Sequence, residues 1–256
     1  MSAVQTSSPT PDDTRRRGPL AEVLFSLLRS GTFLTGLVIV LFWVGCAIFG
    51  EHFAPYDPLA DDIINALAPP SAEHWFGTDQ IGRDVFSRVI VGSRDILTVA
   101  PLATLLATVA GTALGLVTGY FRGIVDDVVS RILEAFMAIP VVIVAERELD
   151  YVAAAQLRHE SALHTMFVEI LPNVIPPILV ETTVRLGYAI FAVATLSFMG
   201  FGIQPPSPDW GLSISSNYGM IGGGFWWTVL FDALAIASLV IGVNLAADGV
   251  HGALND

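Results

Sequence analysis

Four ionisable residues lie near or within long apolar runs: Glu134, Glu181, Arg185 and Asp232. A charge in hydrocarbon is costly, so such groups face a bundle interior or a wet pathway, pair with one another, or snorkel to an interface. Asp232, inside the last run, is the sharpest of them. Asp232, Glu181 and Arg185 are therefore candidate pathway groups, with structural pairing as the alternative. A second cluster, Gly77-Thr78-Asp79 followed by Gly82-Arg83-Asp84, sets a guanidinium beside two carboxylates between glycines. Charge-assisted hydrogen bonds there would pin a compact loop. Such a loop would serve as a docking surface or gate, or simply staple itself. His159-Glu160 with His164 has the composition of a zinc-protease helix, but that site needs its histidines at i and i+4. Five residues apart, they point about 140° away from each other around a helix. Cys46 lies deep in an apolar run, where a thiolate is disfavoured. No catalytic constellation, metal site or cofactor is expected.

The elements that must position these residues are set by composition. Of 256 residues, 53% are hydrophobic and 14% charged, with a mean hydropathy of +0.65. Soluble domains carry about 25% charged residues, and this chain lacks the polar groups to coat a globule. All twelve basic residues are Arg. The absence of Lys excludes a P-loop ATPase, a Schiff-base enzyme and a Ser-Lys hydrolase. One cysteine excludes an internal disulfide, and a net charge of −12 argues against nucleic acid.

A membrane span takes about 20 apolar residues. Five runs approach this: 33–49, 96–121, 128–145, 174–201 and 225–247. Only helices or closed barrels satisfy the backbone in lipid, so the fold expected is an all-α, polytopic bundle. The first run reads as a retained signal anchor. Arg15, Arg16, Arg17 and Arg29 precede it, placing residues 1–32 as a cytoplasmic tail before a membrane domain over 33–256. Residues 51–95, with eight acids against three arginines, then lie outside, as does 203–224, which has no Arg. Trp226 and Trp227 suit an interfacial anchor. The polar stretch 146–172 breaks the pattern, because five crossings leave it and the C-terminus on the wrong side. The third run also stops short at Glu146-Arg147-Glu148, so the junction Ala145/Glu146 reads as a splice. Gly111, Gly115 and Gly119 recur every four residues on the second run, a spacing that permits close helix approach.

Asp150-Tyr151-Val152-Ala153-Ala154-Ala155, followed at a distance by Ile170-Leu171-Pro172-Asn173, resembles the cytoplasmic EAA loop of ABC-importer permeases. The segment from His74-Trp75-Phe76-Gly77 to Ser87-Arg88 is similar to the outside segment of C-type permeases for dipeptides and oligopeptides. So are Phe198 to Gly202 with Gln204-Pro205-Pro206-Ser207-Pro208-Asp209-Trp210-Gly211, and Asn244 to Gly249 with Ala253-Leu254. The resemblance covers most of the chain from Asp57 onward and implies six spans with both termini inside. It implies an inner-membrane location, a second, B-type permease, two cytoplasmic ATP-binding subunits and an extracytoplasmic substrate-binding protein. Transport would proceed by alternating access, with ATP hydrolysis in the partners. Nickel or another small solute is an alternative cargo, and an ion-coupled secondary transporter or a scaffold an alternative class. Carried over residue by residue, the resemblance assigns ATPase coupling to Asp150, Tyr151, Val152, Ala154, Ala155, Leu157, His159, Pro172 and Asn173. It assigns an outer loop or gate to Gly77, Thr78, Asp79, Gly82, Arg83, Asp84, Pro205, Pro206, Trp210 and Gly211. In the coupling loop the alanines favour helix, and Pro172 is expected to force the chain out of it before the next span. Two departures stand out. About 35–45 residues of a relative, one and a half helices, are missing after Ala145, and His159 replaces a usual Gly.

Overall fold

In the computed structural model, residues 26–120 and 162–255 are described, and every regular element among them is helical. Helix α1, Gly31–Phe53, starts where the Ser30 hydroxyl accepts from Phe33 N at 3.3 Å. Helix α2, Val85–Tyr120, runs 36 residues, about 54 Å at 1.5 Å per residue. It begins well before the apolar run at residue 96, because Asp84 supplies a cap, accepting from Ser87 N at 2.8 Å. Helix α3, Leu171–Phe198, follows a short turn, Ala162–His164, and a π-helical segment, Thr165–Ile170. Helix α4, Trp210–Asn217, is short, and α5, Trp227–Asn255, closes the chain.

Gly31–Phe53, Val85–Val117, Thr165–Phe198 and Trp227–Ala253 are long and apolar enough to cross a membrane. They account for four of the five runs; the remaining one, 128–145, lies outside the described residues. Pro172 differs from expectation. The chain stays helical through it: Pro172 follows directly on the π-helical segment Thr165–Ile170, in the first turn of α3, where the bonding register changes.

The helices pack in register. An added Cβ on Gly36 of α1 would meet Ala246 N at 2.5 Å and Gly242 O at 2.6 Å, and one on Gly249 would meet Phe33. Gly50 abuts Ile90, Gly187 abuts Asn244, and the Thr108 and Thr182 hydroxyls lie 3.2 Å apart. Trp43, Ile96, Ile190 and Leu239 form the main core. A second cluster joins Leu116 to Met166, Ile170, Val174 and Ile178. The chain therefore leaves the bundle at the end of α2 and returns at the start of α3 at one end, the end that holds Phe33 and Gly249. The loops at 54–84 and 199–226 meet at the opposite, capped end.

Small residues carry the α1–α5 contact, where van der Waals packing rather than burial from water drives association. Gly36→Leu is expected to push these helices apart and cost about 1–3 kcal/mol, as overpacking does. Gly31→Leu, which meets nothing within 4 Å, should leave the melting temperature unchanged. Thermal unfolding of the two variants in detergent compares them directly.

Candidate functional site

The capped end gathers most of the charged side chains singled out in the sequence. Thr78 and Asp84 pair across an isolated antiparallel bridge, which folds the 77–84 segment onto itself. The buried Thr78 hydroxyl accepts from Ala68 N at 2.8 Å and donates to Asn65 O. Asp79 is 1% exposed. Its Oδ1 accepts from Ile81 N and Arg83 N, both at 3.0 Å, and its Oδ2 accepts from Arg83 Nε at 2.7 Å. Asp84 takes the Ser87 amide and hydroxyl on one oxygen and faces His74 Nδ1 at 2.9 Å with the other. Gly82 has φ +84°, and a Cβ there would lie 1.7 Å from Asp62 O, so only glycine closes this turn.

This loop is fastened to the helices beneath it. Trp227 Nε1 donates to Thr78 O at 3.2 Å, and Gln80 N donates to Asn217 Oδ1 at 3.3 Å. Arg88, buried at the start of α2, donates from Nη1 to Pro58 O at 3.0 Å, with its Nε 3.9 Å from Asp79 Oδ2. Trp210 donates from Nε1 to Val89 O at 2.8 Å and meets Trp43 edge to face at 4.8 Å. Gly211 packs where a Cβ would strike Ala194 O at 2.3 Å. Asp209 caps α4 by accepting from Leu212 N at 2.9 Å. Its burial pushes the carboxyl above the usual range, a shift the Leu212 bond opposes. Ser207 donates to Asp95, tying this loop to α2.

The outer-loop group thus comes together in Gly77, Thr78, Asp79, Gly82, Arg83, Asp84, Trp210 and Gly211, whereas Pro205 and Pro206 lie exposed outside it. Asp232 sits buried under the same cap. Glu181 and Arg185 are elsewhere, paired with each other at 2.9 Å, one turn apart on α3. Pro172 and Asn173 stand at the start of α3, where Asn173 donates to Glu169 O at 2.7 Å. Asp150, Tyr151, Val152, Ala154, Ala155, Leu157 and His159 lie outside the described residues. Sequence reasoning missed Arg88, Asp209 and Asn217 as structural members. Asp84 at N-cap spacing before Ser87 was the signal that α2 starts early enough to bury Arg88. A cleft of about 650 Å³ opens beside the cap, lined among others by Glu51, Tyr56, Asp57, Arg94 and Asp95. Arg94 and Glu51 pair at 3.0 Å across its exposed rim.

Four apolar helices under a polar cap on one end define a multi-pass helical protein of the cell membrane. Residues 143–256 match the family model described as binding-protein-dependent transport system inner membrane component. Residues 18–70 match the N-terminal TM domain of oligopeptide transport permease C. The chain is 31% identical to a probable D,D-dipeptide transport system permease protein of Escherichia coli strain K12, covering 100% of this chain and 97% of that one. It is 32% identical to the dipeptide transport system permease protein of Alkalihalophilus pseudofirmus, over 98% and 94% of the two chains. It is 30% identical to a di/tripeptide transport system permease protein of Pseudomonas aeruginosa, over 93% and 92%. The chain belongs to the family of inner-membrane permeases of binding-protein-dependent ABC transport systems. The E. coli alignment spans 294 positions against the 256 residues here, leaving 38 positions of that comparison without a counterpart in this chain.

Proposed function

We propose that this chain is the C-type permease subunit of a peptide ABC importer and forms, with a second permease, the pathway for di- or oligopeptides. The observation that carries this reading is the near full-length similarity to permeases named for dipeptide and di/tripeptide transport. Hydrolysis is assigned to two partner ATPases, since a chain without Lys cannot build a P-loop. Arg15, Arg16, Arg17 and Arg29 lead into α1 and assign its first turn to the cytoplasm. Residues 120 and 162 stand at that same end of the bundle, which supports a cytoplasmic side for Pro172 and Asn173; the resemblance to the EAA loop assigns Asp150 to His159 to the same side. The cap belongs outside, as the docking surface and gate for a substrate-binding protein. The 38-position deficit is of about the length expected for the segment missing at Ala145/Glu146.

A reporter cysteine at Tyr151 or Leu157, in a Cys46→Ser background, tests the sidedness. A membrane-impermeant maleimide should label it in inside-out vesicles and leave it untouched in intact cells. Labelling in intact cells would contradict the assignment. On the same preparation, a tag on this chain should retain two ATP-binding subunits and a second permease through detergent purification.

A further inference from the structure

Beneath the cap, buried charge exceeds the hydrogen bonds that the fold supplies. Asp232, 1% exposed, has no hydrogen-bond partner for either carboxylate oxygen. Asp209, fully buried, spends Oδ1 on the α4 cap, and its Oδ2 makes no well-formed hydrogen bond, although the Ser197 hydroxyl of α3 lies beside the carboxyl. Arg88, 2% exposed, leaves its Nε without a hydrogen bond. Arg88 lies within coulombic reach of Asp79, Asp209 and Asp232, and Ser213 of α4 lies beside Asp232.

The charged groups facing this pocket come from every packed element. The loop contributes Asp79, Arg83 and His74, with Asp84 at its junction with α2. Helix α2 contributes Arg88 and Asp95, the residue before α4 is Asp209, and α5 contributes Asp232. Most have their own partners: Arg83 holds Asp79, His74 faces Asp84, and the Ser207 hydroxyl bonds Asp95. One guanidinium, Arg88, is left between two incompletely satisfied carboxyls, Asp209 and Asp232. Arg88, Asp209 and Asp232 by themselves are one positive charge short. A buried charge without compensation is strongly unfavourable, and a group so placed takes up a proton instead. No group of three His, Cys, Asp or Glu among the described residues is set to hold a metal ion; a single proton suffices to balance two carboxyls against one guanidinium.

We propose that Asp209 and Asp232 form a buried proton-binding site, occupied by one proton, which fastens α4 to α5 beneath the cap. The proton comes from solvent and adds to a carboxylate oxygen, with no other bond made or broken. It turns an acceptor-only group into a hydroxyl donor and leaves one negative charge opposite Arg88. The raised Asp209 carboxyl points the same way. A carboxyl that keeps its proton in the folded state stabilises the cap at low pH, and that contribution is lost as pH rises through its folded-state value. The cap should then loosen on the alkaline side.

Infrared spectroscopy of the full chain in lipid bilayers tests this. At about pH 7 the wild type should show a protonated-carboxyl C=O band, which Asp232→Asn or Asp209→Asn removes. Hydrogen exchange at the amides of Trp210–Asn217, corrected for intrinsic base catalysis, should rise with pH by up to about tenfold per unit between the ordinary carboxyl range and the folded-state value, and level off above it. In Asp232→Asn it should be flat. A wild type without the band, a band that survives both substitutions, or exchange with the same pH dependence in wild type and Asp232→Asn would each overturn the proposal. So would protection of the cap by Na⁺ in place of acid. If both variants fail to fold, the wild-type band and its titration decide alone. None of these readouts involves transport, so their failure leaves the permease assignment standing.

Discussion

Asp79→Ala is expected to unfasten the cap and cost about 3–5 kcal/mol, the range for removing one partner of a buried ion pair. The substitution strips the acceptor from Ile81 N, Arg83 N and Arg83 Nε, and takes away the carboxylate nearest Arg88 in the loop. Each buried N–H left without a partner costs about 1–3 kcal/mol by itself, so the terms overlap rather than add. Asp79→Asn keeps an acceptor oxygen for the backbone and loses only the charge, and should fall between alanine and wild type. Unfolding of the full chain in detergent, followed by tryptophan fluorescence, reads both, because Trp210 and Trp227 are bound into the cap. Limited proteolysis within 54–84 should accelerate in the alanine variant. An alanine variant that melts with the wild type would mean that the loop is held by something other than Asp79.

Trp210→Ala is the second large effect, expected at about 3–5 kcal/mol for truncating a fully buried tryptophan. Trp210 joins three parts of the fold. It donates to Val89 O on α2, packs on Trp43 of α1 and stands at the first turn of α4. Its ring also lies 3.0 Å from where a Cβ on Gly92 would sit, so the surrounding backbone is shaped to it. Trp210→Phe keeps most of the packing and gives up the hydrogen bond, for about 1 kcal/mol. The same unfolding measurement should rank the two variants in that order. Equal losses would mean that the indole N–H, and not the ring, holds the site together.

Much of this was legible in the sequence, for physical reasons. Apolar runs of about 20 residues are long enough to cross a membrane as helices, and four described helices fall on four of the five runs. The Gly-Thr-Asp and Gly-Arg-Asp pairs announced a pinned loop, because turns that need positive φ and a carboxylate beside a guanidinium leave few other arrangements. Helix ends were harder. Residues 51–95 read as one outside segment, yet α1 runs on to Phe53 and α2 starts at Val85, because a cap residue rather than hydropathy fixes where a helix begins. Pro172 read as a stop and proved to be a first-turn residue, where the bonding register changes from π to α. Asp232 read as a pathway group from its place in an apolar run. Its company of Asp209 and of Arg88, which lies more than a hundred positions away, depends on how α2, α4 and α5 pack, which no local pattern encodes. The glycines at the α1–α5 contact, Gly36 and Gly242, were likewise invisible, since their spacing becomes meaningful only once α1 and α5 are known to be neighbours.

The central proposal, that this chain forms, with a second permease, the membrane pathway of an ATP-driven peptide importer, is tested most directly by uptake. Cells with the chain deleted and complemented with wild type or Asp79→Ala are given a labelled dipeptide, with and without collapse of cellular ATP. Uptake restored by the wild type alone, and abolished when ATP is depleted while the proton gradient is held, is the expected result. Uptake that persists without ATP, or that is unchanged by deleting the chain, would contradict it.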